Sequence, residues 1–302
     1  MKAALKTMLS SVKKSDLYWR YGSNLSNTIE YRRKSKDLSE VENKIVSSLM
    51  RDGIAITSAV DLLGSSTEID DLERETRKQL DERSDEISEL RSKAVCDTEV
   101  GSKTFNLELL GSVLTFDPAS IFARFALNHS MINIANAYFR MRARLRYYNV
   151  WLTFASHSDA RESQLWHFDR EDNRILKMFL YLDDVDENTG PFTYAPGTQR
   201  GGEYSSVAPD YFLEGPVKRS TDEQMNAVFQ RDGWVRGTGP RGTLILADTR
   251  GYHKGGEARS RDRLMYTAMY TSPASGSRRL IEFPKDINES VLSEKQLGAI
   301  RS

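Results

Sequence analysis

Arg140-Met141-Arg142-Ala143-Arg144-Leu145-Arg146-Tyr147-Tyr148-Asn149-Val150-Trp151-Leu152-Thr153-Phe154 is where the chain changes rhythm. Four arginines alternate with Met141, Ala143, Leu145 and Tyr147, and aromatic and β-branched residues follow. A period of two sends alternate side chains to opposite faces of a strand, so a sheet begins here. More β-rich runs come at short spacing, over residues 175–182, 192–195, 242–247 and 264–270, each bounded by Gly, Pro, Asp or Asn. No helical pattern alternates regularly with them, which argues against a doubly wound parallel sheet and for an antiparallel barrel or sandwich. The alternating arginines read first as a solvated strand face. A sharper reading has Arg142 and Arg144 gripping an anionic substrate, such as a phosphate or a thioester carrier.

Upstream of this stretch the pattern is helical. Val41, Ile45, Val46, Leu49 and Met50 form one stripe that Asp52-Gly53 stops, and residues 54–57 follow as a short strand. Residues 65–93 are densely charged, with Ile69, Leu72, Leu80, Ile87 and Leu90 on a seam that Thr76 and Arg83 interrupt. A broken seam suits a surface helix laid on the domain better than a coiled-coil contact, and leaves the oligomeric state open. A further helix is expected over residues 119–137, with Pro118 in its first turn.

Composition narrows the function classes. The 302 residues are 39% hydrophobic and 28% charged, enough for a sizeable core, and 43 basic residues balance 43 acidic ones, so no global basic field recommends a nucleic-acid partner. A small-molecule substrate is expected instead. No stretch suits a membrane span, and the lysine-interrupted start lacks the apolar core of a secretory signal, so the expected setting is the cytoplasm. Cys96 is the only cysteine, which excludes an internal disulfide or a thiolate zinc cluster, and with four histidines a metal site must draw on carboxylates.

Downstream of the first strand, His167-Phe168-Asp169 can present an imidazole and a carboxylate from one face of an extended segment. His253 lies 86 positions further on, room for several strands that bring the chain back to the same end of a barrel. Two histidines and one carboxylate on one side of an octahedral ion leave the opposite positions open, which is the ligand set of non-haem Fe(II) oxygenases. His129, inside a helix, and His157, in a polar loop, are read as ordinary solvated histidines. The acidic run around Asp184 and Asp186 fails as a calcium loop, because Thr189 stands where glycine is needed and Ala195 where glutamate would chelate.

The ordered set Gln164-Leu165-Trp166-His167-Phe168-Asp169, Tyr181-Leu182-Asp183-Asp184, Asn188-Thr189-Gly190-Pro191-Phe192, Pro196-Gly197-Thr198, Gly242-Thr243-Leu244-Ile245, His253-Lys254-Gly255-Gly256 and Arg263 resembles the phytanoyl-CoA dioxygenase-like branch of the Fe(II)/2-oxoglutarate oxygenases. The resemblance runs from about Asp52 to Thr271 and is strongest between Trp166 and Arg263. It implies a mainly β fold with added helices: a double-stranded β-helix, jelly-roll or cupin-like core over residues 139–275, wrapped by a mostly helical part over 1–138 and followed by a tail over 276–302, all one oxygenase domain. It implies Fe(II) on His167, Asp169 and His253, which would be the catalytic centre, with 2-oxoglutarate and O2 as cosubstrates. Arg263 would pair with the distal carboxylate of 2-oxoglutarate, ahead of its neighbours Arg259 and Arg261, since a planar guanidinium suits a carboxylate. Gln164 and Asn149 would lie near the cosubstrate carboxylates, and Phe179 would flank it if Lys177 faces inward. The implied activity is hydroxylation, or another oxidation, of an unactivated C–H bond, with 2-oxoglutarate decarboxylated to succinate and CO2. Halogenation is disfavoured because Asp169 supplies the carboxylate. A cupin-like isomerase or lyase, or a metal-binding module without catalysis, would use the same barrel without 2-oxoglutarate. Specificity loops are expected around residues 156–165 and 201–239, where Tyr204, Tyr211, Phe212, Phe229 and Trp234 could form an aromatic lid.

Overall fold

Ser39 starts the first long helix through a reciprocal cap: its hydroxyl accepts from the Glu42 N–H and the Glu42 carboxylate accepts from the Ser39 N–H. The Glu40–Asp52 helix ends at Gly53, whose φ of 78° permits the left-handed turn that passes the chain into a strand. The computed structural model describes residues 15–34, 37–96, 103–211 and 218–301. The charged run forms two helices, Thr67–Glu82 and Ser84–Cys96, parted at Arg83. Ile69, Leu72 and Ile87 are buried against the domain, and so is Thr76, which donates its hydroxyl to the Leu72 carbonyl and so belongs to the inward face. The expected 119–137 helix is also two, Ile121–Ala126 and His129–Phe139, because Asn128 caps the second by accepting from the Ser130 N–H. Pro118 lies ahead of Ser120, the N-cap of the first, and not in its first turn.

The strands in chain order are β1 (Ile54–Ser58), β2 (Asn106–Glu108), β3 (Leu114–Thr115), β4 (Arg144–Thr153), β5 (Leu176–Tyr181), β6 (Phe192–Tyr194), β7 (Val235–Gly237), β8 (Thr243–Asp248), β9 (His253–Lys254), β10 (Arg263–Thr271) and β11 (Ile281–Glu282). The alternating stretch therefore enters the sheet at Arg144, later than its period suggests, since Arg140 sits in the left-handed region at φ 56° and closes the preceding helix. A six-stranded antiparallel sheet in the order β1-β8-β5-β10-β4-β2 faces a three-stranded antiparallel sheet in the order β7-β6-β9. The two remain separate sheets. This is the expected double-stranded β-helix, with helices packed on its outer side; β3 and β11 add a short parallel pair.

Strand register fixes which residues look into the space between the sheets. Met265 lies opposite Tyr181 and Trp151, Thr267 opposite Phe179 and Asn149, and Met269 opposite Lys177 and Tyr147. These odd-numbered positions share the inner face, while Tyr148, Val150, Met178, Leu180, Leu264 and Tyr266 point the other way into the main apolar core beneath the helices. That core draws residues from Trp19 to Ile300. Residues 276–301, expected as a tail, contribute β11 and the Glu294–Arg301 helix, and Ile281, Ala299 and Ile300 are buried in it.

Arg140 is exposed, but Arg142 and Arg144 neither coat a solvated face nor line the cavity between the sheets. Arg142 pairs with Glu30 and donates to the Gly298 carbonyl, Arg144 donates to the Ser275 carbonyl at 3.0 Å, and Arg146 lies 3.9 Å from Glu171. They tie β4 and the residues just before it to an N-terminal helix, the segment ahead of β5 and the C-terminal part of the chain, where bridging between elements uses the charge.

Candidate metal centre

His167 and His253 are joined through their own main chains. The His167 N–H donates to the His253 carbonyl at 3.0 Å and the His253 N–H donates to the His167 carbonyl at 2.9 Å, the doubly hydrogen-bonded pair of an antiparallel ladder. Two positions on, the Asp169 N–H donates to the Thr249 carbonyl at 2.8 Å, so His167 and Asp169 both face inward. The intervening residues face outward into a separate aromatic cluster: Trp166 packs on Trp234 at 4.7 Å and Phe168 on Tyr252 at 5.5 Å between ring centroids. Trp166 also donates its indole N–H to Asp222 at 2.8 Å. Ligand-bearing strands held this firmly from behind keep the inward side chains in place.

The ligand atoms of His167, Asp169 and His253 all lie within 4.8 Å of one another. The Nδ1 atoms of His167 and His253 lie 2.8 Å and 3.0 Å from the Leu165 and Gly251 carbonyls, so the ring proton belongs on Nδ1 and each Nε2 is left as an electron-pair donor. Burial pushes the pKa of both imidazoles down, aided at His167 by His253 and Arg219; His253 falls to about 4. Burial pushes the Asp169 carboxyl up, yet the Lys177 ammonium and the two imidazoles outweigh it and hold Asp169 below the usual carboxylate range. Two neutral imidazoles and one carboxylate are the protonation states a divalent cation requires.

Lys177 is the neighbour that sequence reasoning left without a role. Its Nζ lies 2.7 Å from Asp169 Oδ2 with both side chains largely buried. Burial lowers the Lys177 pKa, but Asp169 and Tyr147 together raise it above its ordinary value, so the ammonium stays charged. The signal was present as a single lysine inside the apolar run of residues 175–182.

A cavity of about 290 Å³ opens from the triad along the inner face of the large sheet. Arg263, 4% exposed, stands in its wall; Nη2 donates to the Thr153 hydroxyl at 3.2 Å, while Nε and Nη1 are buried without a hydrogen-bond partner among the described residues. Burial lowers the Arg263 pKa. Its competitors are placed elsewhere: Arg259 binds the Ser156 and Ser158 carbonyls and Glu257, and Arg261 is half-exposed beside Asp184 and Asp186. Phe179 and Lys177 both face the cavity, and Phe179 packs on Phe192 with the rings tilted and their centroids 4.5 Å apart. Asn149 and Gln164 line it too, with both polar atoms of Asn149 and the Oε1 of Gln164 engaged by neighbouring main chain. Asn149 donates to the Gly111 carbonyl and accepts from the Leu110 N–H, and Gln164 Oε1 accepts from the Arg161 N–H. Arg219, which no pattern in the sequence singled out, also lines the cavity. His157 and His129 are exposed and away from it, the latter 3.0 Å from the Ser293 hydroxyl.

Among the described loop aromatics, Tyr204, Tyr211, Phe229 and Trp234 do not line the cavity. Phe229 and Trp234 belong to the cluster behind the ligand strands, Tyr204 packs on Phe229, and the Tyr211 hydroxyl meets that of Tyr252; Phe212 lies outside the described residues. No helix among the described residues is long and apolar enough to cross a membrane.

The geometry agrees with comparisons to known proteins. Residues 30–265 match the family model of phytanoyl-CoA dioxygenase (PhyH). No curated protein sequence matched the chain. Among solved structures, one similar fold is the epimerase SnoN in complex with Fe3+, alpha ketoglutarate and nogalamycin RO, at 16% identity over 80% of this chain and 87% of that one, with a TM-score of 0.50. Another is the non-haem alpha ketoglutarate dependent carbocyclase SnoK from nogalamycin biosynthesis, at 14% identity over 85% and 94%, also with a TM-score of 0.50. At that identity the likeness is one of fold. With a family model spanning most of its length and a His-Asp-His cluster at the expected place in the barrel, the chain belongs to the phytanoyl-CoA dioxygenase family.

Proposed function

We propose that this protein is an Fe(II)/2-oxoglutarate-dependent dioxygenase that hydroxylates an unactivated C–H bond of a small molecule, the whole chain acting as one oxygenase domain. The observation that carries the reading is Arg263: a buried guanidinium with two unpartnered nitrogens in the same cavity as the triad. An unpaired buried cation costs several kcal/mol, so its place in the fold makes sense when a carboxylate arrives to meet it. A five-carbon dicarboxylate can reach from such a clamp to a metal on the triad. An isomerase or lyase working without 2-oxoglutarate leaves Arg263 unexplained.

His167 Nε2, His253 Nε2 and an Asp169 oxygen would hold the iron from one side. Bound iron with 2-oxoglutarate and O2 would supply the oxidising power for C–H cleavage, coupled to formation of succinate and CO2. The chain's own groups place the reactants and keep water away. Thr153 steadies the Arg263 fork, Lys177 holds the Asp169 carboxylate, and the Phe179–Phe192 pair forms an apolar wall beside the cosubstrate. The carboxylate at position 169 favours hydroxylation over halogenation, which needs that coordination position for a halide.

Anaerobic titration of the Fe(II)-loaded protein with 2-oxoglutarate tests the assignment through the weak visible charge-transfer band of a bidentate chelate. The band should grow to saturation in the wild type. Its absence from properly loaded protein would remove 2-oxoglutarate from the reading.

A further inference from the structure

The cavity contains a second buried arginine that the cosubstrate does not use. Arg219 is 5% exposed; its Nη2 lies 3.2 Å from Glu162 Oε2, and its Nε and Nη1 are buried with no hydrogen-bond partner among the described residues. Glu162 is itself held in the left-handed region at φ 48°, in the short turn that leads to the metal-binding tripeptide. Strain of this kind persists where the surroundings impose it, here presenting a carboxylate to one edge of the guanidinium and leaving the rest of the fork to the cavity. Arg219 lines the cavity together with His167, Asp169 and His253, whereas the Arg263 guanidinium has its own place beside Thr153.

On the reading above, both carboxylates of 2-oxoglutarate are already taken, one by the metal and one by Arg263. The remaining donors of Arg219 are therefore free for an acceptor other than 2-oxoglutarate. We infer that Arg219 anchors an anionic group, carboxylate or phosphate, on the primary substrate, so that the molecule oxidised is an acid held by its charged end beside the metal. This inference rests on the 2-oxoglutarate reading and extends it to the substrate class. A cavity of 290 Å³ suits a short chain, or the reacting end of a longer one.

The test uses the full-length protein loaded with Mn(II) and 2-oxoglutarate without oxygen, with hexanoate, hexyl phosphate and hexanamide as probes in isothermal titration. The wild type should bind at least one of the two anions about tenfold or more tightly than the neutral amide, as a charge-assisted bidentate contact provides, and the better of the two identifies the group. Arg219→Met should bring acid and amide to within about twofold of each other, while Arg219→Lys keeps part of the preference. Glu162→Gln, which keeps an acceptor for the fork but removes the competing negative charge, should widen the preference. Affinity for 2-oxoglutarate should stay within about twofold in Arg219→Met and fall about a hundredfold in Arg263→Met. Equal binding of acid and amide by the wild type, no binding of any probe up to about 20 mM, or an anion preference that survives in Arg219→Met overturns the inference. So does a loss of 2-oxoglutarate affinity in Arg219→Met matching that of Arg263→Met. Failure of the wild-type Fe(II) protein to form the chelate band would instead overturn the cosubstrate reading beneath it.

Discussion

Replacing Lys177 by methionine separates the two duties of the Asp169 carboxylate. In metal-free protein the ammonium 2.7 Å away compensates that buried charge, and both imidazoles beside it are held neutral by burial. Methionine keeps the volume and removes the charge, leaving the carboxylate buried without its cation. Breaking a buried pair in this way costs about 3–5 kcal/mol. At roughly 2–3 °C per kcal/mol for a chain of this size, the melting temperature should fall by ~6–15 °C.

The pH dependence follows from the sign of each shift. In the wild type the folded pKa of Asp169 lies below its unfolded value, so the pair contributes stability that is complete above about pH 4 and is lost as pH falls through the lower folded value. In Lys177→Met burial is no longer opposed by the ammonium, and the folded pKa should rise above the unfolded one. Such a group costs most at high pH and recovers as the carboxyl takes a proton. The gap between variant and wild type should therefore be widest near pH 8 and narrow toward pH 5. Saturating Mn(II) should also close most of it at pH 8, because the ion takes over the compensation. Melting curves by circular dichroism, in EDTA and in Mn(II), measure all three effects. A variant that melts within about 2 °C of the wild type in EDTA at pH 8, or a gap indifferent to metal, would refute the argument.

Other outcomes can be stated briefly. Arg263→Met should raise the 2-oxoglutarate concentration at half-saturation of the chelate band about a hundredfold while leaving Mn(II) affinity within a few-fold, read by separate titrations. Because burial already keeps His253 neutral down to about pH 4 and depresses His167 further, Mn(II) affinity should be nearly flat from pH 7.5 to pH 5.5; a tenfold loss per unit below pH 6.5 in calorimetry would contradict it. Gly190→Ala should destabilise the fold by more than about 1–3 kcal/mol in denaturant unfolding, since φ is 72° and the new Cβ would sit 2.5 Å from the Gly256 carbonyl oxygen, just past β9.

What could be read from the chain in advance follows the distinction between local pattern and distant placement. The Glu40–Asp52 helix announces both of its ends, with Ser39 and Glu42 at one and Gly53 at the other, and the inner-face parity of Phe179 follows from that of Lys177. Asn128 was harder: inside an apolar periodic run its capping tendency competes with helix continuation, and the cap prevails. Arg142 and Arg144 were misleading because alternation reports only that side chains point the same way, whereas Glu30 and the Gly298 and Ser275 carbonyls, which receive them, come from remote parts of the chain. Arg219 carries no periodic signal at all. Its importance comes from a cavity that forms only once β4, β5 and β10 lie side by side.

The order of the large sheet has a further consequence for anyone seeking a minimal enzyme. Its two outermost strands, β1 and β2, come from the first 110 residues, and they cover the hydrogen-bonding edges of β8 and β4. A fragment begun at the first barrel strand would bare both edges at once, each offering a row of unpaired N–H and C=O groups to the next molecule. Such a fragment should polymerise edge to edge, so the leading segment works as a pair of selvedges for the barrel.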